Sequence, residues 1–432
     1  MCIENTTNSG RKSLILLIVI HFLAFVSYAL NGRSSIIGLL LAVCLVSLAL
    51  LTDDFVYSIP ILIIGNDSLG TVFFGKIAFC WLAVALIICE RLLKRDMKVT
   101  FRWFVDIVGL FFYTLFLYLI QGTLPNTIIK MILYLTLVLH LIDYDRRFRI
   151  DWEYLFAWVA ISCFLAALHL MIFGGISYAE SSGEINSMRF GIVGTGSGDP
   201  NFGGLRLVMG IICTFYYKKF KLLRLPMILV MIYAIVNTIS ITTVFALIIV
   251  VFCGAIFEKG ISQKLKYAIG IITICFVLVY IISVAPSNIL PSGMEALKYR
   301  LGEKIGFLET GNYAIATTGR SNLAYKQLLY ALNRDTFGLF FGMSATPAPG
   351  FRLLSHNTYV DFIIHFGLIG FILLIIAIVN KLKGIYYNWD NGHSHISICK
   401  LQLKVLFLFF SFGLSIYEDS TFALWVLILL FM

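Results

Sequence analysis

Long apolar runs recur along nearly the whole chain, and no other feature constrains the fold as strongly. A helix that spans a bilayer needs roughly 20 apolar residues. Stretches such as 102–121, 153–174, 225–257 and 357–379 approach or exceed that length with few or no charges. Hydrophobic residues make up 60% of the 432 and charged residues 13%, against about 25% charged in an average soluble domain. This balance excludes a disordered chain, a small disulfide scaffold and an ordinary cytosolic enzyme. It predicts an all-α polytopic membrane protein.

Hydropathy places about fourteen transmembrane helices (a range of about 12–14) near 13–31, 35–51, 55–66, 73–90, 102–121, 127–142, 153–174, 203–217, 225–238, 240–257, 267–285, 357–379, 403–416 and 420–432. Asn237, Thr238 and Ser240 mark a tight turn inside the run 225–257. Arg11, Arg91, Lys94, Arg146, Arg147, Lys218, Lys219 and Lys381 gather in alternate short loops. The positive-inside rule then puts both termini in the cytoplasm. This implies a multi-pass protein of a bacterial cytoplasmic membrane. It also accounts for the net charge of +10 without nucleic acid as a partner. The domains on this reading are 1–285, with helices 1–11 and an external loop at 175–202; a large external loop at 286–356 between helices 11 and 12; and 357–432, with the last three helices. Within the large loop, 293–308 and 321–333 read as helical.

Polar residues gather at three places. The densest is Ser355-His356-Asn357-Thr358-Tyr359-Val360-Asp361, read as the start of a helix. A histidine in a first helical turn feels the positive end of the dipole, which favours the neutral base. Ser355 suits the N-cap. Asn357 and Asp361, four residues apart, share a face that His365 continues. The second place runs from Arg189 to Asp199-Pro200-Asn201. Its glycines at 191, 194, 196 and 198 suggest a nucleotide loop only superficially, because no strand is read before them. Asp199 or Asn201 can cap the next helix, and Pro200 suits its first turn. The third is Gly319-Arg320-Ser321-Asn322. Arg189 and Arg320 are guanidiniums able to hold a phosphate in a bidentate fork. Two phosphate clamps and one base suit transfer of a diphosphate-linked group to a hydroxyl. The nine cysteines show no CxxC or metal-ligand spacing, and there is no HExxH. No metal and no cofactor is expected.

The stretch His356-Asn357, nine residues, Gly367, two residues, Gly370 resembles the signature of the O-antigen ligase and polysaccharide polymerase superfamily. Arg189 with Asp199-Pro200-Asn201 resembles that family's other external motif, and Gly319-Arg320 its run through the large loop. The resemblance implies a GT-C-like, metal-independent inverting glycosyltransferase acting on undecaprenyl-diphosphate-linked oligosaccharide repeat units. It implies that His356, with Asn357 and Asp361, assists deprotonation of the acceptor, and that Arg189, Asp199, Asn201 and Arg320 hold the donor. Where members often carry Ser-Arg, this chain reads Ser240-Ile241, which leaves Arg320 or another group to supply any second clamp.

The function expected is therefore a repeat-unit polymerase for O-antigen, capsule or exopolysaccharide, working on the external membrane face. Membrane lipids and a chain-length regulator are its further expected partners. The alternatives are ligase-type transfer to a lipid or protein acceptor, and a flippase or transporter.

Overall fold

Apolar runs without alternation form helices, and Gly, Pro and short polar residues decide where each one stops. The computed structural model describes residues 55–60, 71–72, 77–94, 109–121, 126–173, 176–179, 186–189, 200–216, 221–258, 292–312, 319–343, 348–389, 394–416 and 425–432, with scattered helical positions before 55 and between 262 and 270. In chain order the elements are a 3-10 turn (Phe55–Ser58), β1 (Thr71–Val72), β2 (Ile77–Ala78), α1 (Phe79–Leu93), α2 (Gly109–Gln121), α3 (Asn126–Phe148), α4 (Trp152–Phe173), β3 (Ile176–Ala179), β4 (Asn186–Arg189), α5 (Pro200–Tyr216), α6 (Lys221–Thr238) and α7 (Ile241–Phe257). There follow α8 (Ser292–Glu309), α9 (Arg320–Leu332), α10 (Thr336–Phe341), α11 (Thr358–Trp389), α12 (Ser394–Phe410) and a π-helical turn (Leu427–Phe431). Each strand pair is an isolated antiparallel hairpin, with Thr71 opposite Ala78 and Ile176 opposite Arg189.

The expectation of about fourteen membrane-spanning helices in a GT-C-like arrangement needs correction. Among the described residues, one helix, Thr358–Ile385, is long and apolar enough to cross a membrane. Trp152–Leu168, Leu222–Thr238 and Ile241–Phe257 are apolar but shorter. The expected spans at 13–31, 35–51, 267–285 and the start of 420–432 lie largely outside the described residues. Several inferences rested on that topology and fall with it: the multi-pass placement in a bacterial cytoplasmic membrane, the cytoplasmic termini, the external loops, and a polymerase, ligase or flippase working at an external face.

The physical reason lies in lengths and charges. At 1.5 Å per residue a 17-residue helix such as α5 or α12 reaches about 26 Å, short of a hydrocarbon core of about 30 Å. The 23-residue α3 is longer, but it includes Lys130, Asp143, Asp145, Arg146 and Arg147. A helix surrounded by protein needs the same continuous apolar sequence as one surrounded by lipid, so periodicity alone does not separate the two. α5 is such a case, buried from Pro200 to Gly210 without interruption. Apolar side chains are also left uncovered, most of all on α6, where Leu222 is 92% exposed and Leu225 and Leu229 lie on the same side of the helix.

The chain divides into two compact units. Unit one comprises Met1–Lys98 and Leu139–Ile235. Its centre is the contact of α4 with α5. There a Cβ added at Gly210 would fall 2.4 Å from the Cβ of Cys163 and 2.7 Å from the Sδ of Met231. Only glycine lets α5 approach both neighbours so closely.

Unit two comprises Val99–Val138 and Val236–Met432. Its axis is α11, packed by α2, α9, α10 and α12. α7 lies along α12, and the Gln402 side chain on α12 donates to the Val250 carbonyl at 2.8 Å. The turn into α7 falls where its polar residues suggest. α6 ends at Thr238, Ile239 takes a left-handed φ of 51°, and the Ser240 hydroxyl caps α7 through the Thr243 N–H. Ile239 packs into a small core with Leu297 and Leu301 of α8. On α12 the buried Lys404 donates to the carbonyls of Ile428 (2.7 Å) and Leu429 (2.8 Å).

Candidate functional site

The site in unit two is built around the entry to α11. The helix begins at Thr358, and Asn357, not Ser355, caps it. The Asn357 Oδ1 accepts from the N–H groups of Tyr359 (3.0 Å) and Val360 (3.2 Å). Ser355 braces the cap instead. Its hydroxyl accepts from the Asn357 N–H at 3.0 Å and donates to the Asn357 carbonyl at 2.8 Å. Asp361, fully buried, reaches back one turn and accepts the Ser355 N–H at 3.3 Å.

These bonds enclose His356, which sits one residue before the cap and so outside the first turn. Its φ is 56°, in the left-handed region. A non-glycine residue there is uncommon and is held by its surroundings at a cost of roughly 1–3 kcal/mol. The imidazole is half-buried. Asp361 and His365 lie on the buried side of α11, the shared face that their spacing implies.

The second component is α9. Gly319, with φ 76°, turns the chain into it. Arg320 is its first residue, and its guanidinium donates to the Gly413 carbonyl at 3.3 Å. That carbonyl belongs to the turn 411–416, which is gripped from the other side by the buried Thr358. The Thr358 N–H donates to Ser411 O (2.8 Å) and Leu414 O (3.0 Å). Its hydroxyl donates to Leu414 O at 2.6 Å and accepts the Ile416 N–H at 2.9 Å. Arg320 and the His356 turn are thus fastened to one segment.

Seven residues along α9 and on the same face, the buried Gln327 holds the loop that leads to His356. Its amide donates to Leu353 O at 2.8 Å and accepts the Ala348 N–H at 3.3 Å. Beneath lies an apolar cluster of Ala331, Ala348, Val360 and Ile364.

The third component is a break in α11 itself. Gly367 has φ 66° and ψ −174° and interrupts the helix. The end of α10 fits into the gap: the Met343 N–H donates to Ile364 O at 2.8 Å, and a Cβ at Gly342 or Gly367 would come within 2.3 Å of the opposing backbone. The Tyr113 hydroxyl of α2 donates to the freed Phe366 carbonyl at 2.9 Å. Five residues further along α2, the Tyr118 hydroxyl pairs with the Nε2 of His365. Burial pushes the His365 imidazole down to about 3, so it stays neutral near pH 7. The Tyr113 phenol is pushed up to about 12, again by burial.

Unit one carries the other residues read as donor-binding. Arg189 ends β4. A strand therefore does precede the glycine run, but within an antiparallel hairpin and not in the parallel unit a nucleotide loop requires. Pro200 opens α5 as its sequence suggests, and Asn201 is buried in that helix. Asp199 lies outside the described residues. The structure therefore brings His356, Asn357, Asp361 and Arg320 together within unit two. Arg189 and Asn201 belong to the other unit. Sequence reasoning missed the parts played by Thr358, Gln327, Tyr113 and Tyr118. Only the spacing of Gln327 from Arg320, two helical turns on one face, offered a signal.

Among the described residues no three His, Cys, Asp or Glu side chains are grouped closely enough to hold a metal ion. The site offers a half-buried imidazole, a guanidinium bonded to the Gly413 carbonyl, and a hydrogen-bonded backbone around both. Together these groups can accept a proton from a hydroxyl and hold an oxyanion. No protein-family model matches the chain, and no curated protein matches it at a significant level.

Proposed function

We propose that the chain is a metal-independent glycosyltransferase that moves a glycan from a diphosphate-linked donor to an acceptor hydroxyl with inversion. The observation that carries this reading is the attachment of Arg320 and the His356 turn to the same 411–416 segment. The acceptor oxygen forms a bond to the anomeric carbon as the bond from that carbon to the diphosphate oxygen breaks. The diphosphate leaves with the electron pair, steadied by Arg320. The acceptor's proton passes to the His356 imidazole and then to solvent. The likeness of His356-Asn357…Gly367…Gly370 to the O-antigen ligase and polysaccharide polymerase superfamily supports the reading. It also favours an undecaprenyl-diphosphate-linked oligosaccharide as donor.

Purified chain supplied with a labelled polyprenyl-diphosphate glycan and a glycan acceptor, without divalent metal, tests it. His356→Ala should fold and bind donor as the wild type does, while turnover falls at least about 100-fold, the usual contribution of a general base. Wild-type turnover by that variant would remove the reading.

A further inference from the structure

We propose that Thr358 is a positioning residue that sets the distance between the Arg320 guanidinium and His356. The inference rests on the transfer reading above, in which these two groups act on one substrate. Thr358 stands two residues after His356, at the first position of α11. It is fully buried, and both its backbone and its side chain are spent on the 411–416 turn. Its N–H reaches Ser411 O and Leu414 O, and its hydroxyl both donates to Leu414 O and accepts the Ile416 N–H.

Gly413, whose carbonyl takes the Arg320 N–H, lies between those contacts. The turn is itself anchored below, because the Ser411 hydroxyl donates to Phe407 O at 2.7 Å and accepts the Trp425 indole N–H at 3.0 Å. Arg320 therefore rests on a turn that Thr358 holds through both its N–H and its hydroxyl, and the hydroxyl supplies the side-chain links to Leu414 and Ile416. A hydroxyl that both donates and accepts is a role that serine can fill and that valine, of the same shape as threonine, cannot. Phosphate recognition by a planar fork depends on placement to within about 0.5 Å, so loosening this turn weakens the clamp without touching it.

Inorganic diphosphate, titrated calorimetrically into wild type, Thr358→Ser, Thr358→Val, Arg320→Lys and the Thr358→Val/Arg320→Lys double variant, reads the clamp apart from turnover. Wild type and Thr358→Ser should bind within about twofold of each other, and Thr358→Val about tenfold more weakly, as for a lost buried hydrogen bond. The double variant should bind no more weakly than Arg320→Lys alone, because the two changes remove one interaction. Thermal unfolding confirms that each variant is folded, and Thr358→Ala replaces Thr358→Val if the latter is not.

Equal binding by Thr358→Val and wild type, or fully additive losses, would overturn the positioning role while leaving the transfer reading intact. A wild-type protein that takes up no diphosphate would overturn both. The wild-type arm alone distinguishes the two failures.

Discussion

His365 shows most directly how position overrides residue type. In the sequence it is one more polar residue on a face shared with Asp361. In the fold it is fully enclosed, paired with Tyr118 and pushed down to about 3 by burial. The folded form thus refuses a proton that the unfolded chain accepts near its ordinary value of about 6.5. Stability from this group is fully present above about pH 6.5 and is lost as the pH falls toward about 3. His365→Gln keeps an acceptor for Tyr118 but does not titrate. The stability gap between wild type and this variant, by chemical denaturation, should be widest near pH 7 and narrow at pH 4.5. A gap that widens on acidification would contradict the neutral, buried assignment. Part of this was legible: the spacing of Asp361 and His365 gave their common buried face. The cap was misread, because Ser355 and Asn357 both suit the position and only the path of the backbone through His356 decides between them.

At the scale of elements, the informative feature is the crossing of α10 and α11 at Gly342 and Gly367. Both residues have positive φ (82° and 66°), and each leaves no room for a Cβ against the other's backbone. Gly342→Ala or Gly367→Ala should destabilise unit two by at least about 3 kcal/mol, from backbone strain plus overpacking. Gly384→Ala, in the same helix with open space around it, should be neutral or slightly stabilising. Urea melts of the three variants compare them directly, and three similar midpoints would show that the crossing is not tightly packed. The sequence presented Gly367 and Gly370 only as parts of a motif. That the first breaks the helix while the second lies within it depends on α10, which is distant in the chain. By contrast, the turn at 237–240 and the helices near 293–308 and 321–333 were legible, because caps, glycines and local charge fix them.

At the scale of the molecule, composition misled. A chain that is 60% hydrophobic reads as a row of spans, yet α5 uses its apolar residues for the interior of unit one, and the lengths of the described helices do not repeat a bilayer's thickness. The division into two units makes its own prediction. Gly210→Ala pushes a methyl group against Cys163 and Met231 and should cost about 1–3 kcal/mol. Hydrogen exchange should then accelerate in α4 and α5 and stay unchanged in α11 and α12. Acceleration spread evenly over both groups of helices would show a single cooperative body.

Ile239 carries a consequence for the order of assembly. A β-branched residue at φ 51° makes the connection between α6 and α7 locally unfavourable by about 1–2 kcal/mol. What holds the turn is the burial of the same side chain against Leu297 and Leu301, far along the chain. The connection therefore matures late. While the chain is being synthesised, the bend at Ile239 stays unsecured until α8 has emerged and Leu297 and Leu301 close over it, so a turn short in sequence inherits the timing of a long-range contact.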